Sequence, residues 1–287
     1  MNHSSGDLPP GLKGKDAIRD YYKTTSEAIK HADRICIVGG GPTAVEFAGE
    51  IRAAFPTKKI TIICSSTHLL SSCVAQPPQK FMKALYKKLS ELGIDLIRGE
   101  KVVHPGPENF IDEHKFVTGP INVKTVGLKG IDVEVDLVVW AATWTLSNTM
   151  YPADWLNSSG ELNVKDSFIV VGSAKGNVFG FGDVCSIAET KQAITLPKKV
   201  KYIQDNILSI VNALNKGKSA IDAKLRNYPW TDKVFIYLPM GPRYGLSQVG
   251  ASTYFDAKTS KCKGEDLYTE YFWKLLTGNP PPPRPVD

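Results

Sequence analysis

The sequence predicts an α/β protein built around a parallel β-sheet, because apolar runs and amphipathic helical stretches alternate along it. The alternation is regular from residue 34 to residue 98. A later apolar run, 137–141, is typical of a strand buried on both faces of a sheet. Strands joined by helices in this order form a parallel sheet with right-handed crossovers.

The regular part follows a polar helical stretch and contains three strands and two helices. In the helix predicted at 79–92, Phe81, Leu85 and Leu89 share one face. That helix ends at Gly93, a residue suited to a left-handed cap. The predicted ranges are helix 15–32, strand 34–38, helix 43–55, strand 60–64, helix 79–92 and strand 94–98.

Residues 100–135 interrupt this order with short strand-like pieces and turns, which predicts a small antiparallel excursion before the strand at 137–141. A Pro- and Ser-containing segment, 145–160, is typical of a crossing between domains. The other predicted elements are strand pieces at 116–118, 121–123 and 132–135, a helix at about 199–215, strands near 234–239 and 246–250, and an aromatic helix near 267–277.

The composition is that of a soluble globular protein with one large or two ordinary domains, since 42% of its 287 residues are hydrophobic and 22% are charged. The net charge of +6 is spread along the chain, which argues against nucleic-acid binding. No apolar stretch could span a bilayer, and the N-terminus lacks a signal-peptide core. Five scattered cysteines predict free thiols in a reducing, cytoplasmic compartment, with no metal site and no dithiol redox centre.

A glycine turn between the first strand and the helix after it is the most informative motif. Gly39-x-Gly41-x-x-Ala44 has the spacing of a dinucleotide-binding turn. Gly39 permits the turn, Gly41 lets the backbone approach a pyrophosphate at the helix N-terminus, and Ala44 allows close helix-to-strand packing. Pro42 and Thr43 complete the predicted contacts. The alternative is a tight turn that binds nothing.

Several motifs together make the chain resemble the FAD- and NAD(P)H-dependent pyridine nucleotide oxidoreductases. Within them it is most similar to the ferroptosis-suppressor and apoptosis-inducing-factor-like branch, which is related to the type II NADH dehydrogenases. The resemblance covers residues 20–276. The motifs that carry it are Gly39-Gly40-Gly41-Pro42-Thr43-Ala44-Val45-Glu46, Gly160-Glu161-Leu162-Asn163-Val164, Phe179-Gly180-Phe181-Gly182-Asp183, Tyr237-Leu238-Pro239-Met240-Gly241 and Gly245-Leu246-Ser247-Gln248-Val249-Gly250.

Members of this family carry an NAD(P)H domain inserted between two halves of an FAD domain. The resemblance therefore implies a linker and leading helix at 1–32, then a Rossmann-type, three-layer NAD(P)H domain at 33–145. The second half of the FAD domain is expected at 146–228. A small α+β region with a Pro-rich tail is expected at 229–287. The first half of the FAD domain, with its own glycine turn, is expected to be missing.

The resemblance also implies flavin contacts. Gly182 and Asp183 match the place where family members hold the ribityl chain of FAD. The alternative for Asp183 is a helix N-cap or turn aspartate. Glu46 matches a catalytic, flavin-side glutamate that pairs with a lysine near the flavin N5. That lysine is expected to belong to the missing half. The alternative for Glu46 is a first-turn glutamate that the helix dipole favours.

The end of the second strand should lie at the adenosine ribose, which places Cys64 and Ser65 beside the nucleotide. An acidic residue there would select NAD, and the strand ends Ile62-Ile63-Cys64-Ser65-Ser66 without one. No Arg or Lys lies between Cys64 and Ser72 to bind a 2′-phosphate. We expect the chain to use NADPH or both nucleotides.

The implied reaction is hydride transfer from NAD(P)H to FAD. Because no close cysteine pair is present, the electrons are expected to leave for a quinone-like or other diffusible acceptor. An apolar face on the C-terminal helix, which includes Tyr268, Phe272 and Leu275, predicts a docked core helix. Peripheral membrane contact and a homodimer interface are the alternatives for that face.

Two other functions stay open at this point. One is a flavin-free protein that binds NAD(P)H or a partner, and the other is an inactive, truncated product.

Overall fold

A computed structural model describes residues 14–71, 73, 76–103, 116–142, 150–187, 189, 196–230 and 234–278. The chain divides into two compact units. The sheet unit consists of His3–Thr143 and Lys233–Asp287, and the loop-rich unit of Met1–Asn2 and Trp144–Asp232. The beginning of the predicted linker and the Pro-rich tail lie outside the described residues, and the domain boundaries at residues 33, 146 and 229 stay predictions.

The sheet unit contains the predicted alternation of strands and helices. Its helices are α1 (Lys15–His31), α2 (Pro42–Ala54) and α3 (Gln79–Glu91), and its strands are β1 (Arg34–Val38), β2 (Lys59–Cys64), β3 (Ile94–Arg98), β4 (Glu100–Val102), β5 (Phe116–Gly127) and β6 (Asp132–Trp140). The sheet order is β3-β2-β1-β6-β5-β4. Strands β1, β2, β3 and β6 run parallel, so the predicted α/β class and parallel sheet are confirmed. Gly93 caps α3 at a φ of +64°, as predicted.

Among the described residues, the antiparallel excursion contains the short β4 and two long strands, β5 and β6, so the prediction of short separate pieces at 116–118, 121–123 and 132–135 is wrong. Strand β5 continues through a register shift between Thr118 and Ile121, and β6 includes the buried run predicted at 137–141. The charged Asp136 conceals this continuity in the sequence. Arg34 stabilises the charge of Asp136 within the strand. Its guanidinium Nη2 lies 2.7 Å from Oδ1 of Asp136 and lowers the pKa of that carboxyl to about 2.

The C-terminal segment adds β7 (Phe235–Pro239), β8 (Gly245–Val249), β9 (Ser252–Phe255), α5 (Ala257–Thr259) and α6 (Thr269–Leu276). Strands β7, β8 and β9 form an antiparallel sheet, of which β9 is not predicted by the sequence. Leu238 and Met240 are buried in the same core as Ile37 of the parallel sheet. A Cβ on Gly49 of α2 would lie 2.3 Å from Cα of Met240. Glycine is therefore what allows α2 and β7 to pack this closely.

Helix α6 is not the docked core helix that its apolar face predicts, because none of its residues is buried. Trp273 is 68% exposed and Leu276 is 82% exposed. Its aromatic rings pack on one another instead, with the rings of Tyr271 and Phe272 5.4 Å apart.

The loop-rich unit contains short bridges, 3-10 turns and one long helix, α4 (Leu196–Asn215). Phe168 and Tyr228 lie in its buried core. Asn206 of α4 is fully buried, and its side chain donates to the carbonyl oxygens of Ser167 and Arg226 and accepts from the amide of Arg226. These bonds attach α4 to the loops around it.

Candidate functional site

The glycine turn joins the carboxyl end of β1 to the start of α2, and its backbone leaves no room for larger residues. Gly39 has a φ of +136°, and a Cβ there would lie 2.6 Å from the carbonyl oxygen of Ala141. A Cβ on Gly40 would lie 2.8 Å from Cβ of Cys64. The spacing of the glycine motif gives Gly40 no role. Its close contact with Cys64 of β2 arises only when the strands pair.

The N-terminus of α2 faces the same edge of the sheet. Gly41 precedes the helix in an extended conformation, and Pro42 is the first helical residue. Proline fits this position because it has no N–H that needs a partner. Ala44 and Val45 are fully buried, which brings the first turn of α2 close to the sheet. The remaining first-turn amides and the helix dipole make this end attractive to an anion.

A cleft of about 320 Å³ opens beside the glycine turn. It brings together four of the predicted nucleotide residues, namely Gly39, Gly41, Cys64 and Ser65. Pro42, Thr43 and Ala44 follow directly in α2 and do not line the cleft. The strands β1, β2 and β6 end at this cleft, which is where ligands bind in open parallel sheets.

The cleft has further lining residues that the sequence analysis did not select. Six of them come from two segments outside the glycine turn, namely Glu100, Lys101, Val102, Trp140, Ala141 and Ala142. All six lie in β4 or at the end of β6, at the edge of the sheet where β1 and β2 end. The order of strands could have indicated them, since the carboxyl ends of parallel strands meet at one edge.

Glu100 is the carboxylate within this lining, and its side chain is already bonded inside the protein. Its Oε2 accepts a hydrogen bond of 2.7 Å from Oγ1 of Thr125, and its Oε1 accepts one of 2.7 Å from the amide of Lys129. The bond from Thr125 is the main cause that lowers the pKa of Glu100. Glu100 is thus ionised and holds β4 against β5 and the turn after it.

Glu46 lies one turn into α2 and forms an ion pair with a residue near the other end of the chain. Its Oε1 is 2.6 Å from Nζ of Lys263, and the same ammonium donates to the carbonyl oxygen of Tyr237 at 3.3 Å. The expectation that the lysine partner of Glu46 comes from a missing segment is therefore wrong. A π-helical turn, Ser260–Gly264, positions Lys263, and no local sequence pattern links it to Glu46.

Burial raises the pKa of Glu46, and the charge of Lys263 opposes that rise. One helical turn later, burial and the negative charge of Glu46 raise the pKa of Glu50. The Oε1 atom of Glu50 is buried and has no hydrogen-bond partner among the described residues. Of these two carboxyl groups of α2, Glu46 is paired with Lys263, and burial raises the pKa of both.

Gly182 and Asp183 lie in the loop-rich unit, where they begin a 3-10 turn, Gly182–Val184. Gly182 has a φ of +80°, a conformation that glycine adopts most easily. Asp183 lies in the first turn and is not the N-cap residue, which is Phe181. The role of Asp183 at a ribityl chain stays a prediction.

All five cysteines lie within the described residues and are free thiols. Four are buried, and Cys73 is half-buried. Burial raises the pKa of Cys36 to about 12, which makes its thiolate inaccessible at neutral pH. Among the residues with described positions, no group of His, Cys, Asp and Glu side chains is arranged to hold a metal ion.

The described helices include none that is long and apolar enough to cross a bilayer.

Comparison with known proteins identifies the relatives of this chain. A model of the pyridine nucleotide-disulphide oxidoreductase family matches residues 3–217. Apoptosis-inducing factor homolog A of Dictyostelium discoideum is 29% identical over 281 residues, which cover 92% of this chain and 65% of that protein. Human ferroptosis suppressor protein 1 is 26% identical over 275 residues, with 94% and 68% covered. The chain thus spans about two thirds of the length of these relatives.

Solved structures share the fold. The sulfide:quinone oxidoreductase of Aquifex aeolicus superposes with a TM-score of 0.66 at 14% identity, covering 95% of this chain and 68% of that one. A water-forming NADH oxidase from Lactobacillus brevis bound to NADH gives a TM-score of 0.54 at 13% identity, with 86% and 50% covered. The family match, the relatives and the glycine cleft agree, and the chain belongs to the pyridine nucleotide-disulphide oxidoreductase family.

Proposed function

We propose that this chain acts as a flavin-dependent NAD(P)H oxidoreductase that passes electrons to a quinone-like acceptor. The observation that carries the proposal is the cleft at the glycine turn. Gly39 and Gly40 pack so closely against their neighbours there that a Cβ on either residue would clash. Such a turn lets a dinucleotide reach the backbone and the helix N-terminus.

The residues of the cleft fit NAD(P)H. The pyrophosphate would lie at Gly41 and the first turn of α2, and the adenosine ribose at Cys64 and Ser65. Trp140 and Ala141 line the end of the cleft next to β6 and would contact the nucleotide from that side. The sheet unit alone supplies all of these residues.

Glu46 and Lys263 are the residues that we assign to the flavin side of the sheet unit. A lysine ammonium has three protons to donate, and Lys263 uses two on Glu46 and Tyr237. The third proton would be available to a flavin, and the ion pair with Glu46 would keep the ammonium oriented. Asp183 would accept hydrogen bonds from the ribityl hydroxyl groups in the loop-rich unit. FAD, when bound, would accept the hydride of NAD(P)H and release electrons singly or in pairs.

The acceptor is expected to be a diffusible, quinone-like molecule. Disulphide-reducing chemistry needs two neighbouring cysteines, and the five cysteines of this chain form no pair. The exposed Trp273 and Leu276 of α6 would let the protein touch a membrane surface, where a lipid quinone is dissolved. We place the protein in the cytoplasm with peripheral membrane contact; a homodimer interface on α6 is the alternative.

The experiment is to purify the chain, add FAD, remove unbound flavin and record both the absorption spectrum and NAD(P)H oxidation with a soluble quinone. The proposal predicts a yellow protein that oxidises NAD(P)H only when quinone is present. Colourless protein that stays inactive would contradict it.

A second function, nucleotide binding without flavin chemistry, is favoured by one observation. The residues of the cleft all belong to the sheet unit, whereas Gly182 and Asp183 belong to the loop-rich unit, so nucleotide binding does not depend on them. Calorimetry separates the two functions. NAD(P)H binding without FAD binding would establish the second.

A further inference from the structure

The ribose end of the cleft presents hydrogen-bond donors to a ligand. In a dinucleotide-binding fold, the residues at the end of the second strand decide between a ribose 2′-hydroxyl and a 2′-phosphate. Here those residues are Ser65 and Ser66, whose hydroxyl groups can donate, and the cleft continues to Lys101 of β4.

The carboxylate of Glu100 is not available to select NADH. A residue that selects NADH must accept hydrogen bonds from the ribose hydroxyl groups. Both oxygens of Glu100 already accept bonds of 2.7 Å from Thr125 and Lys129, and its side chain is buried. A ribose hydroxyl group would have to compete with these internal bonds, which join β4 to Thr125 of β5 and to the turn at Lys129.

Two positive charges stand at this edge. Arg98 lies opposite Cys64 in the sheet register, and its Nη1 donates to the carbonyl oxygen of Thr67 at 3.0 Å. That bond holds the loop that carries Ser65 and Ser66. Lys101 is exposed and lines the cleft, and its side chain has no ion pair or hydrogen bond with the described residues. Its ammonium is therefore free to meet an anion.

We propose that this cleft takes NADPH in preference to NADH and that Lys101 binds the 2′-phosphate together with the hydroxyl groups of Ser65 and Ser66. The inference rests on the proposed nucleotide site and adds its substrate class. Lys101 does not belong to the segment just after β2, where a basic residue for the 2′-phosphate is expected. It lines the cleft from β4, which follows β3.

The test is nucleotide affinity, measured on the whole chain by quenching of protein fluorescence and by calorimetry, without any flavin reaction. Trp140 lines the cleft and is a suitable reporter. Wild-type protein should bind NADPH more tightly than NADH. Lys101→Met should weaken NADPH binding about 3- to 10-fold. The effect is modest because solvent screens the charge of the exposed Lys101. NADH affinity should change less than about twofold.

Lys59→Met is the matched control, because Lys59 is an exposed lysine at the opposite end of β2 and should leave both affinities unchanged. Lys101→Arg should retain the preference, since it keeps the charge. Tighter binding of NADH, or equal binding that Lys101→Met leaves unaltered, would overturn the inference while the nucleotide site stands. Failure to bind either nucleotide would instead overturn the proposed function.

Discussion

The protonation of Glu46 can be tested through stability. Its pKa is raised above the ordinary 4.5, because burial disfavours the carboxylate more than Lys263 favours it. A raised folded-state pKa means that the contribution of this group to stability is complete below pH 4.5 and is lost as the pH rises through the folded-state value.

Glu46→Gln cannot ionise and should lack this loss. We expect the free energy of unfolding of the wild type, relative to Glu46→Gln, to fall as the pH rises from 4.5 towards neutrality. Denaturant titrations at several pH values measure it. A difference that grows with pH would contradict the assignment of a raised pKa.

Gly39→Ala tests the turn. The new Cβ would meet the carbonyl of Ala141, and the φ of +136° is strained for any residue with a side chain. We expect NAD(P)H affinity to fall about 10-fold or more, in line with the roughly 1–3 kcal/mol of a strained residue. Gly250→Ala, at a positive φ with open space around it, should leave the affinity unchanged. Calorimetry measures both variants, and unchanged binding by Gly39→Ala would be evidence against a nucleotide at this turn.

Individual residues were predictable where the chemistry is local. The spacing of Gly39, Gly41 and Ala44 defines the turn without any knowledge of the fold. The contact between Glu46 and Lys263 could not be predicted, because 217 residues separate them and a π-helical turn sets the lysine in place.

At the scale of elements, the approach of β7 to α2 depends on glycine. Gly49→Ala would place a Cβ 2.3 Å from Cα of Met240 and force the two elements apart. We expect a loss of about 1–3 kcal/mol in the free energy of unfolding, as for other overpacked cores. Ala54→Ser, on an exposed position of α2, should stay within about 0.5 kcal/mol of the wild type. Thermal or denaturant unfolding gives both values, and equal stability of the two variants would refute the close packing.

The regular elements were predictable because their periodicity is strong. From β1 to β3 the predicted bounds differ from the structure by one residue at most. The lengths of β5 and β6 could not be predicted from periodicity. Asp136 interrupts the apolar run of β6, and the register shift after Thr118 interrupts the alternation in β5. Periodicity also failed for α6, since an apolar face alone does not show whether a short helix is buried.

The whole molecule should contain five free thiols and no disulphide. Because Cys73 is half-buried and the other four cysteines are buried, about one thiol per chain should react with a thiol reagent under native conditions. That reaction should be slow, since burial raises the pKa of Cys73. All five should react after denaturation. Two rapidly reacting thiols, or a mass that indicates a disulphide, would contradict transfer of electrons without a dithiol.

Transfer of electrons from NAD(P)H through a flavin would be visible in the absorption spectrum of this chain. The spectrum of the FAD-treated, desalted protein is recorded without oxygen, then after NADPH, and then after quinone. The FAD-treated protein should show a flavin band that NADPH abolishes and quinone restores. A protein that binds NADPH and retains no flavin band, or whose band NADPH leaves unchanged, would contradict it.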